Sequence, residues 1–133
     1  MSLVPVRGMF PGGNSAQAGI IAEAGGTQAL ATQLPAVVNR VDTVAGAADG
    51  VMLPSAVPGA IVFVINGTAT SMQVFGQPSN DANPLQTPGT SVGDTITAPG
   101  SSTPTASATG NAQGAHVPAI YVCSVVGNWK QYL

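Results

Sequence analysis

Eight of the 133 side chains carry a formal charge: three basic (Arg7, Arg40, Lys130) and five acidic. That is 6% of the chain, against about 25% in ordinary soluble domains. Hydrophobic residues make up 44%. Disordered chains combine low hydrophobicity with high charge, and this chain does the opposite. A membrane-spanning helix needs about 18 consecutive apolar residues. The best run, "GAIVFVI" from Gly59 to Ile65, is far shorter. Hydration must therefore come from Ser, Thr, Asn and Gln, and a net charge of -2 gives little mutual repulsion. The composition implies that much of the monomer surface is buried against copies of itself or against another protein.

The same scarcity excludes several classes. Three scattered cations cannot track a phosphate backbone, so no nucleic-acid partner is expected. The start "MSLVPVRGMFPGG" is interrupted by Pro5 and Arg7 and does not read as a secretory signal. A single cysteine forms no intramolecular disulfide. Asn66-Gly67-Thr68 fits a glycosylation sequon but reads better as a turn.

Residues 1–31 are Gly- and Ala-rich. Asn14 and Gln17 are placed to cap a short helix over "SAQAGIIAEA", stopped by Gly25-Gly26. The alternative is an extended arm that orders on binding, favoured because Gly8, Gly12, Gly13 and Gly19 weaken a helix. Val4, Val6, Met9, Phe10, Ile20 and Ile21 would be its apolar contacts with a partner or a neighbouring subunit.

Residues 32–133 read as one β domain. In "AVVNRVDTVA", Val37, Asn39, Val41 and Thr43 share one face and Val38, Arg40, Asp42 and Val44 the other. "VMLP" is a short strand ended by Pro54. Ile61 to Ile65 is a β-branched and aromatic run, predicted to be covered on both faces, with Ile61, Phe63 and Ile65 in the core. Asn66-Gly67 signals a hairpin, with a return strand placing Val74 and Phe75 in the core on opposite faces. Residues 77–93 are loop-like, "DTIT" is a short strand, and a low-complexity loop at about 98–116 reads as a surface excursion. The closing "AIYVCSVVGNWKQYL" reads as a hairpin about Gly127-Asn128. That register sets Val126 opposite Trp129 and Cys123 opposite Tyr132, with Tyr121, Cys123, Val126 and Trp129 supplying core bulk. Short strands with Gly/Pro turns predict an all-β fold, a β-sandwich or jelly-roll-like pair of antiparallel sheets with an extended N-terminal arm.

The chemistry-bearing constellations are weak. "GTSVG" at 89–93 matches a nucleophile-elbow pattern, with Asp94 and His116 following Ser91 in hydrolase order. The elbow needs a strand before the serine and a helix after it, and "NPLQTP" and "DTITAP" supply neither. Cys123 with His116 lacks a third group to orient the imidazole. Asp81–Asn83 begins like a calcium loop, but Leu85 and Gln86 stand where a ligand and a glycine are required. There is no paired-cysteine metal motif and no phosphate loop, so no catalysis, metal or cofactor is expected.

A set of ordered motifs resembles small tailed-bacteriophage virion proteins and domains. The residues are Ala48-Asp49-Gly50-Val51, Leu53-Pro54, Gly59, Asn66, Val74-Phe75, Gly93-Asp94-Thr95-Ile96, Tyr121-Val122-Cys123, and Gly127 with Trp129. The match covers about 36 to 130; residues 1–31 match nothing in the pattern, and Thr97-Ala98-Pro99 departs from it. The resemblance implies a non-enzymatic β-sandwich protein, often a homotrimer. It is expected on the capsid surface of the virion and in the host cytoplasm during assembly. A capsid decoration (cement) protein bound to the major capsid protein is the first expectation. A tail or head fibre component whose loops at 77–93 and 98–116 contact a receptor is the alternative, and a small serine hydrolase using Ser91 a remote one.

Overall fold

The computed structural model describes residues 15–78, 93–107 and 109–133. Ten strands and a single 3-10 turn at Gln28–Leu30 account for its regular structure. The strands are β1 (Ala16–Ile21), β2 (Thr32–Gln33), β3 (Val38–Thr43), β4 (Gly50–Met52), β5 (Ile61–Asn66), β6 (Met72–Phe75), β7 (Thr95–Thr97), β8 (Asn111–Gln113), β9 (Pro118–Val125) and β10 (Asn128–Tyr132). They form a six-stranded sheet in the order β1-β3-β5-β9-β10-β7 and a four-stranded sheet in the order β2-β4-β6-β8.

From β1 to β8 the chain alternates between the two sheets at every step. As far as β6, each pair of crossings brings it back beside the strand it left, running the same way. Hence β1–β3, β3–β5, β2–β4 and β4–β6 all pair in parallel. Parallel neighbours need a long connection, usually a helix; here a strand of the opposite sheet fills that role. Antiparallel pairing enters with β5–β9, β9–β10 and β6–β8. The expectation of antiparallel sheets is corrected: the fold is all-β, and both sheets are mixed.

The winding also corrects the hairpin at Asn66-Gly67. β5 and β6 lie in different sheets, so Asn66-Gly67 is a corner between them. Asn66 is fully buried there. Its Nδ2 donates to Thr70 O (2.8 Å) and Gly114 O (3.1 Å), and its Oδ1 accepts from the Thr68 N–H and hydroxyl. A Cβ on Gly67 would sit 3.2 Å from Arg40 Nε, Asp42 Oδ1 and Val41 O, so β3 would have to give by a few tenths of an ångström to admit it.

β1 removes the boundary drawn at residue 31. Residues 16–21 are neither helix nor free arm but a strand on β3, and Ile20 and Ala22 enter the core. The low-complexity stretch is likewise partly structural. Thr105 and Ile96 exchange backbone hydrogen bonds, Ser107 is buried, and β8 joins the four-stranded sheet.

The terminal hairpin forms, in a different register. Val126-Gly127 makes the turn, with Gly127 at φ 77, and a bulge follows at Asn128/Trp129. Trp129 then pairs with Cys123 and Tyr132 with Ile120. This setting turns Tyr121, Cys123, Trp129 and Gln131 inward together. Val126 is left 40% exposed at the turn rather than in the core.

The inward residues of both sheets form one apolar cluster that includes Val41, Val62, Val64, Val51, Leu53, Met72, Val74, Tyr121, Cys123 and Trp129. In β5 the inner face belongs to Val62 and Val64. Ile61, Phe63 and Ile65 point the other way and are only partly covered, so the expectation of a strand covered on both faces is corrected. Phe75 is buried outside the cluster, on the outer side of the four-stranded sheet. There its ring leaves no room for a side chain at Gly50 or Gly110.

Candidate interaction face

Strand alternation that sends Val62, Val64, Tyr121 and Trp129 inward sends a second apolar set outward. Across the outer face of the six-stranded sheet, Val38 pairs with Phe63, Phe63 with Ile120 and Ile120 with Tyr132. One apolar row therefore crosses β3, β5, β9 and β10. A second row sets Ile61 beside Val122, and a third sets Ile65 beside Pro118. None of these residues is fully buried.

Further exposed apolar residues lie at both ends of the sheet. Val57, Val125 and Val126 gather where Gly127 N–H donates to Ala56 O. Ile65, Val117, Tyr132 and Leu133 gather at the opposite end, where Ile65 pairs with Pro118. Two charged residues share these rows: Arg40 pairs with Ile65 and Lys130 with Val122. Arg40 and Asp42 form an ion pair (2.7 Å) on β3, exposed enough to contribute little stability. Lys130 Nζ donates to Ser101 O (3.2 Å) on the β10 side.

The four-stranded sheet is dressed differently. Glutamines 28, 33, 73 and 77 spend their amide donors on Gly76 O, Met52 O, Ala47 O and Leu53 O. That side is polar and closed by its own hydrogen bonds. The edges of the six-stranded sheet are blunted as well. β1 is bulged at Gly19 (φ 73), whose N–H is taken by Asp42 Oδ2 at 2.7 Å. β7 is capped by Thr105. Bulges and covered edges oppose strand addition, which leaves the face rather than the edge for association.

The nucleophile candidates are not brought together. Ser91 lies outside the described residues. Asp94 is buried and accepts the Ala56 N–H at 2.7 Å, beside the β9–β10 turn. His116 is exposed at φ 55, and its backbone N–H bonds Thr68 O near the start of β9. The eight residues of β9 separate them by roughly 26 Å at strand rise. Cys123 is buried mid-strand with its thiol donating to Val125 O at 3.2 Å, and burial pushes its pKa up, opposite to what a nucleophile needs. His116 lies seven positions upstream, off the end of the same strand.

No cluster of three or more metal-ligating side chains occurs among the described residues. The calcium-like Asp81–Asn83 lies outside them, as do Val4, Val6, Met9 and Phe10 of the expected arm. Of that arm's contacts, Ile20 is in the core and Ile21 is 56% exposed. Among the described residues no helix is long and apolar enough to cross a membrane.

The motif residues hold the two sheets to the loop at 53–60. Pro54 O accepts the Trp129 indole N–H (3.2 Å), Ala56 N–H reaches Asp94, and Gly59 N–H (φ 94) reaches Cys123 O at 2.8 Å. Asp49 Oδ2 closes the preceding turn by accepting from Ala45 and Gly46. These roles are architectural. Sequence reasoning missed the outer face, because a run of five apolar residues in β5 carries no polar alternation to mark which side is wet. Comparison with protein-family models, with curated proteins and with solved structures finds no match.

Proposed function

We propose that this chain is a non-enzymatic structural protein of a tailed-phage virion. It is read as a β-sandwich capsid decoration protein that binds and stabilises the head as a homotrimer. The single observation that carries the reading is the apolar outer face of the six-stranded sheet in a chain with so few charges. Such a face is a liability in a free monomer and an asset in an assembly repeated over symmetric sites, where weak contacts add through avidity. The motif resemblance supplies the virion context. The separation of Asp94 from His116 along β9 favours scaffolding over hydrolysis.

The test is to mix purified protein with undecorated phage heads, then image them and measure particle mass. The reading expects saturable binding at regular surface positions, with hundreds of copies per head. Heads that gain no mass would overturn it, as would a few copies confined to the tail or one vertex.

A further inference from the structure

Residues 15–34 make the first turn of the winding, out along β1 and back along β2, and they are held more loosely than the two turns that follow. β1 meets β3 with two register shifts, and β2 meets β4 through two residue pairs. The second turn, residues 38–53, is fastened to the third by unbroken registers, four pairs between β3 and β5 and three between β4 and β6. Burial follows the same gradient. Of residues 15–34 only Ile20, Ala22 and Leu34 are buried, whereas residues 38–53 bury Val41, Val44, Val51 and Leu53 together with Asn39.

The first turn is nonetheless a unit. Thr32 Oγ1 donates to Ile21 O (2.6 Å), which joins β1 to β2 within it. Its far side is latched to the chain just past β6: Gln28 Nε2 donates to Gly76 O (2.6 Å), and Gln33 Oε1 accepts from Gln77 Nε2. Its exit stops at a clamp. The buried Asn39 side chain accepts from the Ala36 N–H (3.1 Å) and donates to the Ala36 carbonyl (2.7 Å), fixing the chain where it enters β3. Between the buried Leu34 and that clamp stands the single residue Pro35.

Regular edges lie beneath. In the closed molecule the outermost strand is bulged at Gly19, whose N–H is tied to Asp42. β3 and β4 carry no such shift toward their inner neighbours, and both face the first turn. With that turn lifted they would present two unpaired backbone edges, side by side, suited to receive strands. We propose that residues 15–34 are a latched strap. It opens as one unit, pivoting at Pro35, while the rest of the sandwich stays folded, and it gates the pairing edges of β3 and β4.

The experiment is amide hydrogen exchange on the full chain, read residue by residue in rising sub-denaturing guanidinium. Ala22, Glu23 and Leu34 donate from the strap to Thr43 O, Gly50 O and Met52 O. Val38 and Gly50 lie outside the strap, yet their N–H groups donate to Ser15 O and Glu23 O within it. All five amides should share one protection factor, at least about 100-fold below that of Phe63 and Cys123, whose acceptors Val37 O and Ala60 O stay in place. Gln28→Ala removes only the latch and should speed the five together by about fivefold, with Phe63 and Cys123 unchanged. The proposal is overturned if the five are as protected as Phe63 or if their protection factors differ widely. It is equally overturned if Gln28→Ala moves only some of the five, moves none, or speeds Phe63 as much.

Discussion

Trp129 donates its indole N–H to the carbonyl of Pro54 across 75 positions of sequence, tying the last strand to the loop after β4. The ring is fully buried, so both its bulk and its hydrogen bond are committed. Trp129→Phe keeps most of the bulk and orphans the Pro54 carbonyl. A loss of about 1–3 kcal/mol is expected in denaturant unfolding, with the β spectrum retained. A loss under 0.3 kcal/mol would mean that water replaces the indole freely.

Gly50 and Phe75 provide a steric test. A Cβ at Gly50 would fall 2.5 Å from the Phe75 ring. Gly50→Ala should cost about 1–3 kcal/mol by overpacking. In a double-mutant cycle with Phe75→Leu most of that cost should vanish, because the clash needs both partners. Additive costs would place the strain elsewhere.

Much of the β pattern was legible in the sequence, and what was hidden was decided by tertiary neighbours or by breaks in the local pattern. Alternation in "VNRVDT" divides β3 into two faces, and the structure buries Asn39 and Val41 while Arg40 and Asp42 stay outside. In β5 no such marker exists, and the choice between Val62/Val64 and Ile61/Phe63/Ile65 is made by which neighbours the strand meets. Asn66-Gly67 is a local hairpin signal overridden by a tertiary crossing, in which Gly67 passes close to β3. β1 was invisible because the bulge at Gly19 breaks its period. β8 was invisible because Gln113 is held by polar bonds to Val64 O and Val117 O rather than by an apolar pattern.

Tyr121 and Cys123 set an alkaline limit. Burial raises both pKa values, so the folded chain holds these protons at pH values where the unfolded chain has released them. A raised folded pKa gives stability that is complete below the unfolded value and falls as pH rises past it. Unfolding free energy should be level up to about pH 8 and decline above it, first from the thiol and then from the phenol near pH 10. Tyr121→Phe gives up a 3.4 Å bond to Gln113 and should flatten the upper part of the decline. An unchanged slope above pH 10 would contradict this assignment.

Asn66-Gly67 is chemically the pair most prone to deamidation, yet both its amides are engaged. Asn66 Nδ2 donates twice, and the Gly67 N–H bonds Val41 O at 2.9 Å. Native protein held for days at pH 8 should gain no 1 Da species at this site, while denatured protein gains it readily. Equal rates in the two states would show that the corner opens.

The central claim is that the outer face of the six-stranded sheet is covered by association, and hydroxyl-radical footprinting reads it residue by residue. Labelling of Phe63, Ile120 and Tyr132 should fall several-fold between nanomolar and tens of micromolar protein. Exposed Leu30, away from the face, should label equally throughout. Constant labelling of the face across that range would contradict the account.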